Sequence, residues 1–176
     1  MTGARILIAG IGNIFLGDDA FGSEVARKMM QRELPEGVKV ADFGIRGFDL
    51  TYALLDEYEL VVLIDATPRG DAPGTLYVIE PELTELNELE PQETMVETHG
   101  MNPLRVLRMV QSMGGKFHRI LIVGCEPKAL DPESEGEMGL SEAVKAAVDS
   151  AVEMIESIVA ETLAESKKVA AGIVRT

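Results

Sequence analysis

The segment from Arg5 to Gly22 constrains the fold of this chain more than any other. An apolar run ends in the glycine turn Gly10-Ile-Gly12-Asn13, and a stretch with helical periodicity follows. This order is typical of a strand followed by a helix that packs back on it. Two adjacent acids, Asp18 and Asp19, lie at the start of the predicted helix. The segment therefore predicts the first β–α unit of an α/β sheet, with carboxylates just beyond the strand.

A glycine turn after a first strand often indicates a phosphate site, but two features argue against one here. The third small residue of a G-x-G-x-x-G/A pattern would fall at position 15, which is Phe15. The two carboxylates at the helix entrance would also repel a phosphate that the helix N-terminus attracts. A nucleotide-binding domain is therefore disfavoured, and the turn is expected to present oxygen ligands to a cation or to a metal-bearing substrate.

Composition narrows the function classes further. The chain has 176 residues and a net charge of −14, which disfavours binding to nucleic acid or to anionic membranes. Cys125 is the only cysteine, so a disulfide and a cysteine zinc cluster are excluded. The run Ile6–Ala9 is too short for a signal peptide or a membrane span. We expect one cytoplasmic, monomeric domain over residues 1–176, with 1–4 and 167–176 frayed.

Apolar runs and helical segments alternate along the chain. They predict strands at 5–9, 38–43, 60–64, 75–80 and 119–124, and helices at 19–32, 48–57, 102–113 and after Ser141. This alternation predicts a three-layer α/β/α sandwich around a five-stranded, mostly parallel sheet. Only Asp65–Gly74 separates strands three and four, which is too short for a helical crossover. Strand four is therefore predicted to be antiparallel and at an edge, so the sheet is mixed.

Polar residues are expected to converge at one edge of this sheet. Ligands of such sheets bind beyond the carboxyl ends of the strands. Asp18 and Asp19 follow strand one, and Asp65 follows strand three. His99 comes just before the helix that leads into strand five, so it belongs to the same edge. The topology thus predicts carboxylates and one imidazole on one rim.

Such a donor set with open positions suits a borderline divalent ion such as Zn²⁺, Ni²⁺ or Mn²⁺. Taken singly, Asp65 could also be a helix cap or loop stabiliser, and His99 could be an ordinary loop histidine. The other histidine, His118, lies at the far end of the same helix, roughly 15–18 Å away at ~1.5 Å per residue, and is expected on the surface. Cys125 is expected to be a buried packing residue rather than a nucleophile.

In their order and spacing, several short motifs resemble those of the hydrogenase maturation proteases. These are the endopeptidases that trim the C-terminus of the [NiFe]-hydrogenase large subunit. The resemblance runs from Ile6 to about the start of the last helix. Its motifs are Gly10-Ile-Gly12-Asn13, Asp18-Asp19-x-x-Gly22, Asp42-Phe-Gly44-x-x-Gly47, Asp65-Ala66, Pro73-Gly74-Thr75, His99-Gly100, Gly124-x-x-Pro127 and Gly139-Leu140-Ser141.

The resemblance implies that Asp19, Asp65 and His99 bind the metal and form the catalytic site. These residues are among those that the topology brings to the rim. The resemblance also implies that the loop Gly44-Ile-Arg46-Gly47 takes part in substrate choice. Arg46 is a cation on an acidic protein and could meet a carboxylate of the substrate tail. A solvated surface arginine is the other interpretation of that residue.

The function implied is removal of a short C-terminal extension from the nickel-loaded large-subunit precursor of a [NiFe] hydrogenase. The nickel would arrive with the substrate, so the protein is expected to hold no tightly bound cofactor of its own. Either a metal-activated water or a rim carboxylate acting as a base could drive hydrolysis. The same three ligands would also serve a non-catalytic metallochaperone or metal-sensing module, which is the alternative from another class.

Overall fold

The computed structural model describes residues 5–84, 86, 101–128 and 138–172. In this part of the chain, five strands alternate with four α-helices, and a short 3₁₀ helix, Gly17–Ala20, precedes the first of them. The strands are β1 (Ile6–Ile11), β2 (Val38–Gly44), β3 (Leu60–Ala66), β4 (Leu76–Ile79) and β5 (Ile120–Cys125). The helices are α1 (Phe21–Met30), α2 (Gly47–Leu54), α3 (Pro103–Ser112) and α4 (Glu142–Ala170).

The sheet has the strand order β2-β1-β3-β5-β4, and only the β4–β5 pair is antiparallel. This confirms the predicted mixed sheet with an antiparallel fourth strand at an edge. The physical reason is the short β3–β4 connection, which cannot carry a helical crossover. No helix in the described part of the chain has the length and apolarity needed to cross a membrane.

The two faces of the sheet are covered by different helices, which gives the predicted three layers. One core cluster joins alternate strand residues such as Ile8 and Val62 to α1 and α4. The other joins residues such as Leu7 and Leu63 to α2 and α3. All six residues of β1 are buried, as expected for a strand covered on both faces. The site therefore has to form at the strand ends, because the faces are filled.

One boundary that bears on the site differs from the predicted one. Asp65 was predicted to follow strand three, but it lies inside β3, because the ladder continues through the pairs Asp65↔Gly124 and Ala66↔Cys125. A parallel partner can extend a strand past its apolar run, which periodicity alone does not show.

Gly22 allows α1 to pack directly on the ends of β1 and β3. A Cβ at this position would lie 2.0 Å from the carbonyl oxygen of Ile64 and 2.2 Å from that of Ile11. Both distances are far below van der Waals contact, and both atoms belong to backbone. Only glycine therefore permits this approach, which brings the turn after β1 close to the end of β3.

Candidate active site

The carboxyl edge of the sheet holds the two aspartates that the sequence selected. Asp19 lies in the 3₁₀ helix after β1, and Asp65 is the second-last residue of β3. These strands are neighbours, with Gly10 opposite Ile64 at the end of their ladder. The structure thus brings both residues to one edge, as predicted. His99, the third predicted ligand, lies outside the described residues.

Asp19 is partly buried and held by the glycine turn. Its Oδ2 accepts a hydrogen bond of 2.9 Å from the backbone N–H of Asn13. Gly12 makes this packing possible, since a Cβ there would be 2.1 Å from the carbonyl oxygen of Asp19. Burial raises the pKa of the Asp19 carboxyl, and the bond from Asn13 lowers it in part. A desolvated carboxylate of this kind gains more from a nearby cation than a solvated one does.

Asp65 is partly buried at the centre of the sheet edge. Alternation along β3 directs its side chain to the face opposite Ile64, the side covered by α2 and α3. Its strand partner Gly124 leaves room for Thr67, because a Cβ at Gly124 would lie 2.4 Å from the Thr67 hydroxyl oxygen. The Thr67 hydroxyl therefore lies near this part of the rim.

Asp18 has a structural role that differs from the role of its neighbour Asp19. Its side chain is 5% exposed, and its two oxygens accept three hydrogen bonds. The donors are the backbone N–H of Lys128 at 2.8 Å and, from Ser141, the N–H at 2.7 Å and the hydroxyl at 2.8 Å. Asp18 thus connects the chain after β5 to the first residue before α4. Ser141 occupies the N-cap position as predicted, but its hydroxyl bonds to Asp18 instead of capping the helix.

The predicted substrate loop follows β2 at the same edge. Gly44 has φ +56, and its carbonyl oxygen accepts a bond of 3.0 Å from Gly12 N–H, which ties this loop to the turn before Asp19. Arg46 uses three of its five N–H donors on the elements that flank its loop, donating to the carbonyl oxygens of Phe43 and Asp42 in β2 and to the carboxylate of Asp49 in α2. It therefore braces the loop, and Gly47 begins α2 directly after it.

The two residues that were set aside lie where expected. His118 is exposed, six residues beyond the end of α3. Cys125 is the last residue of β5 and has no exposed surface. Burial, with the nearby carboxylates of Asp18 and Glu126, raises the pKa of this thiol to about 11. The thiolate that a cysteine nucleophile needs is therefore scarce at neutral pH.

Cys125→Ser is accordingly expected to keep its peptidase activity. A hydroxyl buried in place of the thiol should cost some stability, about 1–2 kcal/mol. A cleavage assay and urea unfolding of the variant measure the two effects separately. Loss of cleavage by a folded Cys125→Ser protein, or inactivation of the wild type by a thiol reagent, would instead indicate a cysteine peptidase.

Glu126 is a buried acid of this edge that the sequence motifs did not single out. It is 5% exposed, and its carboxylate accepts hydrogen bonds from Arg69 N–H, Gly70 N–H and the Tyr77 hydroxyl. The signal that could have found it is the one that selected Asp65, an acid at the end of a continuous apolar run. Within residues 5–84, 86, 101–128 and 138–172, no three His, Cys, Asp or Glu side chains form a group that could hold a metal.

Comparison with known proteins agrees with this fold. A family model described as hydrogenase maturation protease matches residues 23–158. A Methanocaldococcus jannaschii protein that carries the same family name is 32% identical over 151 residues, which is 85% of this chain and 93% of the relative. The hydrogenase maturating endopeptidase HybD from Escherichia coli superposes with a TM-score of 0.71 at 26% identity, over 90% of this chain and 93% of its own.

A third match comes from an archaeal structure. The hydrogenase 2 maturation peptidase of a Thaumarchaeota archaeon has a TM-score of 0.66 and 31% identity, with 89% of this chain and 98% of that chain covered. The fold and these matches thus define a three-layer α/β hydrolase. The chain belongs to the hydrogenase maturation protease family. This confirms the expected enzyme class, an endopeptidase, over the non-catalytic alternative.

Proposed function

We propose that this endopeptidase removes the C-terminal extension of a nickel-loaded [NiFe]-hydrogenase large-subunit precursor. The observation that carries the proposal is the pair of partly buried carboxylates at one sheet edge, Asp19 in the 3₁₀ helix after β1 and Asp65 at the end of the neighbouring β3. The loop Gly44–Gly47 adjoins the same edge and is bound to the turn before Asp19. A precursor seated on that loop would present its metal and its scissile bond to the two acids.

In this proposal, Asp19, Asp65 and His99 hold the nickel that the substrate brings. Two carboxylates and an imidazole provide the oxygen and nitrogen donors that a borderline divalent ion accepts. The bound ion would polarise the scissile carbonyl or lower the pKa of an attacking water. Alternatively, one of the two carboxylates takes the proton from that water. An unloaded precursor would lack the ion that joins it to the acidic edge. The same contacts therefore also explain selectivity for the nickel-loaded precursor.

Two further features of the protein are part of the proposal. We propose that it works as a monomer, because a net charge of −14 opposes self-association. We also propose a cytoplasmic location, which a single buried and unpaired thiol supports, since disulfides are rare in that compartment. Neither nucleic acid nor a membrane is a partner in this scheme.

Loaded precursor is expected to be cleaved without added metal, while metal-free precursor stays intact. Without thiolate ligands and with open positions, the protein alone should bind free nickel only modestly, so it should purify largely metal-free. Mass spectrometry of the two precursors, each incubated with the protein, measures the loss of a C-terminal peptide. The metal content of the purified protein is measured in parallel.

Three results would contradict this scheme. Rapid cleavage of metal-free precursor in the presence of a chelator would mean that nickel is not sensed. Tightly bound, stoichiometric zinc in the purified protein would indicate an ordinary metallopeptidase, with a catalytic water in the fourth coordination position. Unchanged precursor mass accompanied by nickel transfer to the protein would point to a chaperone.

A further inference from the structure

Glu126 is a buried, charged residue that the proposed reaction does not use. Its Oε2 accepts bonds of 2.8 Å from Arg69 N–H and 2.7 Å from the Tyr77 hydroxyl, and its Oε1 accepts one of 3.1 Å from Gly70 N–H. The hydrogen bond from the Tyr77 hydroxyl is the main cause of the lowered pKa of Glu126. Backbone N–H bonds, including one from Asp71, lower this pKa further. A carboxylate can stay charged in a buried position only when its oxygens are satisfied in this way.

The backbone donors among these partners lie in the connection between β3 and β4, and Tyr77 lies in β4 itself. The backbone of Glu126 also binds the end of this connection that lies next to β4. The Glu126 carbonyl accepts a hydrogen bond from Gly74 N–H, and the Glu126 N–H donates to the Thr75 carbonyl, both at 2.8 Å. The near end is held one residue earlier, where Thr67 N–H donates to the Cys125 carbonyl at 2.8 Å. The chain after Asp65 is thus fixed along its length by two consecutive residues at the end of β5.

This arrangement extends directly to Asp65. Asp65 pairs with Gly124 in the ladder, and the Thr67 hydroxyl lies against the backbone of Gly124. The two segments, Asp65–Thr67 and Gly124–Glu126, are therefore joined by ladder pairing, a backbone hydrogen bond and close packing. The Tyr77 hydroxyl adds a further contact, since its oxygen lies 2.7 Å from a carboxylate oxygen of Glu126 and 2.7 Å from one of Asp71. Its single proton serves one acceptor at a time.

We propose that Glu126 is a positioning residue for the peptidase reaction, which fixes the β3–β4 connection and through it the orientation of the Asp65 carboxylate. This inference rests on the proposed function of Asp65. Glu126 does not touch the substrate. It acts by limiting how far the end of β3 can move when the precursor and its metal bind. Small displacements of a reacting group are enough to cost about 10²-fold in rate.

Glu126→Gln tests this role with little change in shape. The amide keeps one acceptor oxygen but turns an N–H₂ group either toward Gly70 N–H or toward Arg69 N–H and the Tyr77 hydroxyl, so part of the network is lost. We expect kcat on loaded precursor to fall by about 10- to 100-fold while KM changes by less than about two-fold. KM should hold because the loop Gly44–Gly47 at the other side of the edge is untouched.

A stability-matched variant separates positioning from simple destabilisation. Val159 is buried in α4, and its neighbour Ile158 lines a groove with Arg119, next to the start of β5, at the opposite edge of the sheet. Val159→Ala should lower Tm by an amount comparable to Glu126→Gln and leave kcat unchanged at temperatures where both variants are folded. Tyr77→Phe removes only the phenol oxygen and should lower kcat by a smaller factor. If Glu126→Gln does not fold, the Tyr77→Phe variant is used to test the inference.

Each outcome of these kinetic measurements either supports or overturns the inference about Glu126. An unchanged kcat in Glu126→Gln, or in Tyr77→Phe where that variant carries the test, overturns the inference. So does a rise in KM alone, or an equal loss of kcat in Val159→Ala. If the wild type fails to cleave loaded precursor, it is the proposed function that fails, and the two failures are thereby distinguished.

Discussion

Asp65→Asn and Asp19→Asn are each expected to lower kcat/KM for loaded precursor by at least about 10³-fold, which corresponds to about 4 kcal/mol of transition-state stabilisation. An amide has nearly the size of the carboxylate, but it carries no charge to hold the metal and accepts no proton. Both residues are only partly buried at a sheet edge, so the fold should survive. His99→Ala should have a similar effect. Mass spectrometry of the precursor and circular dichroism of each variant measure the two properties.

Two neighbouring residues supply the controls. Asp18→Asn should lose stability, by about 2 kcal/mol, because an amide cannot satisfy all three donors that the buried carboxylate accepts. Where it is folded, it should retain more activity than Asp19→Asn. His118→Ala, at an exposed position, should cleave normally. Full cleavage by Asp65→Asn would remove that residue from the site, and a His118 effect equal to that of His99 would overturn the topological argument.

Gly22→Ala is expected to destabilise the protein more than any other small substitution considered, by about 3 kcal/mol or more. The added Cβ would meet carbonyl oxygens of both β1 and β3 at about 2 Å, and no side chain can rotate away to make room. Helix α1 would have to move away from the sheet, and the turn that carries Asp19 would move with it. Urea unfolding measures the stability loss, and activity per folded molecule measures the displacement of the site.

Gly47→Ala is the matched control for that stability measurement. A Cβ at Gly47 would come no closer than 3.5 Å to Met101, an ordinary contact, and the position lies at the start of a helix. Its free energy of unfolding should therefore stay within about 1 kcal/mol of the wild type. If Gly22→Ala were as stable as Gly47→Ala, the close packing of α1 on the strand ends would be refuted.

Much of this arrangement is predictable because it depends on local pattern and chain direction. Continuous apolar runs identify the buried strands, and the short β3–β4 connection requires β4 to be antiparallel. Parallel strands end at one edge, so the positions of Asp19 and Asp65 along the chain already put them there. The extension of β3 through Asp65 was not predictable, since it depends on pairing with Gly124, far along the chain.

The sequence by itself determined the layers, the antiparallel edge strand and the edge at which the aspartates meet, because periodicity and strand direction are local properties. Only the tertiary structure decided which acids of that edge are buried and which are only partly buried. Asp18 and Glu126 look like Asp19 and Asp65 in the sequence, yet both are buried and saturated with hydrogen bonds. Their donors come from Lys128, Ser141 and Arg69, residues distant along the chain, and no local pattern encodes which backbone N–H groups will face which carboxylate.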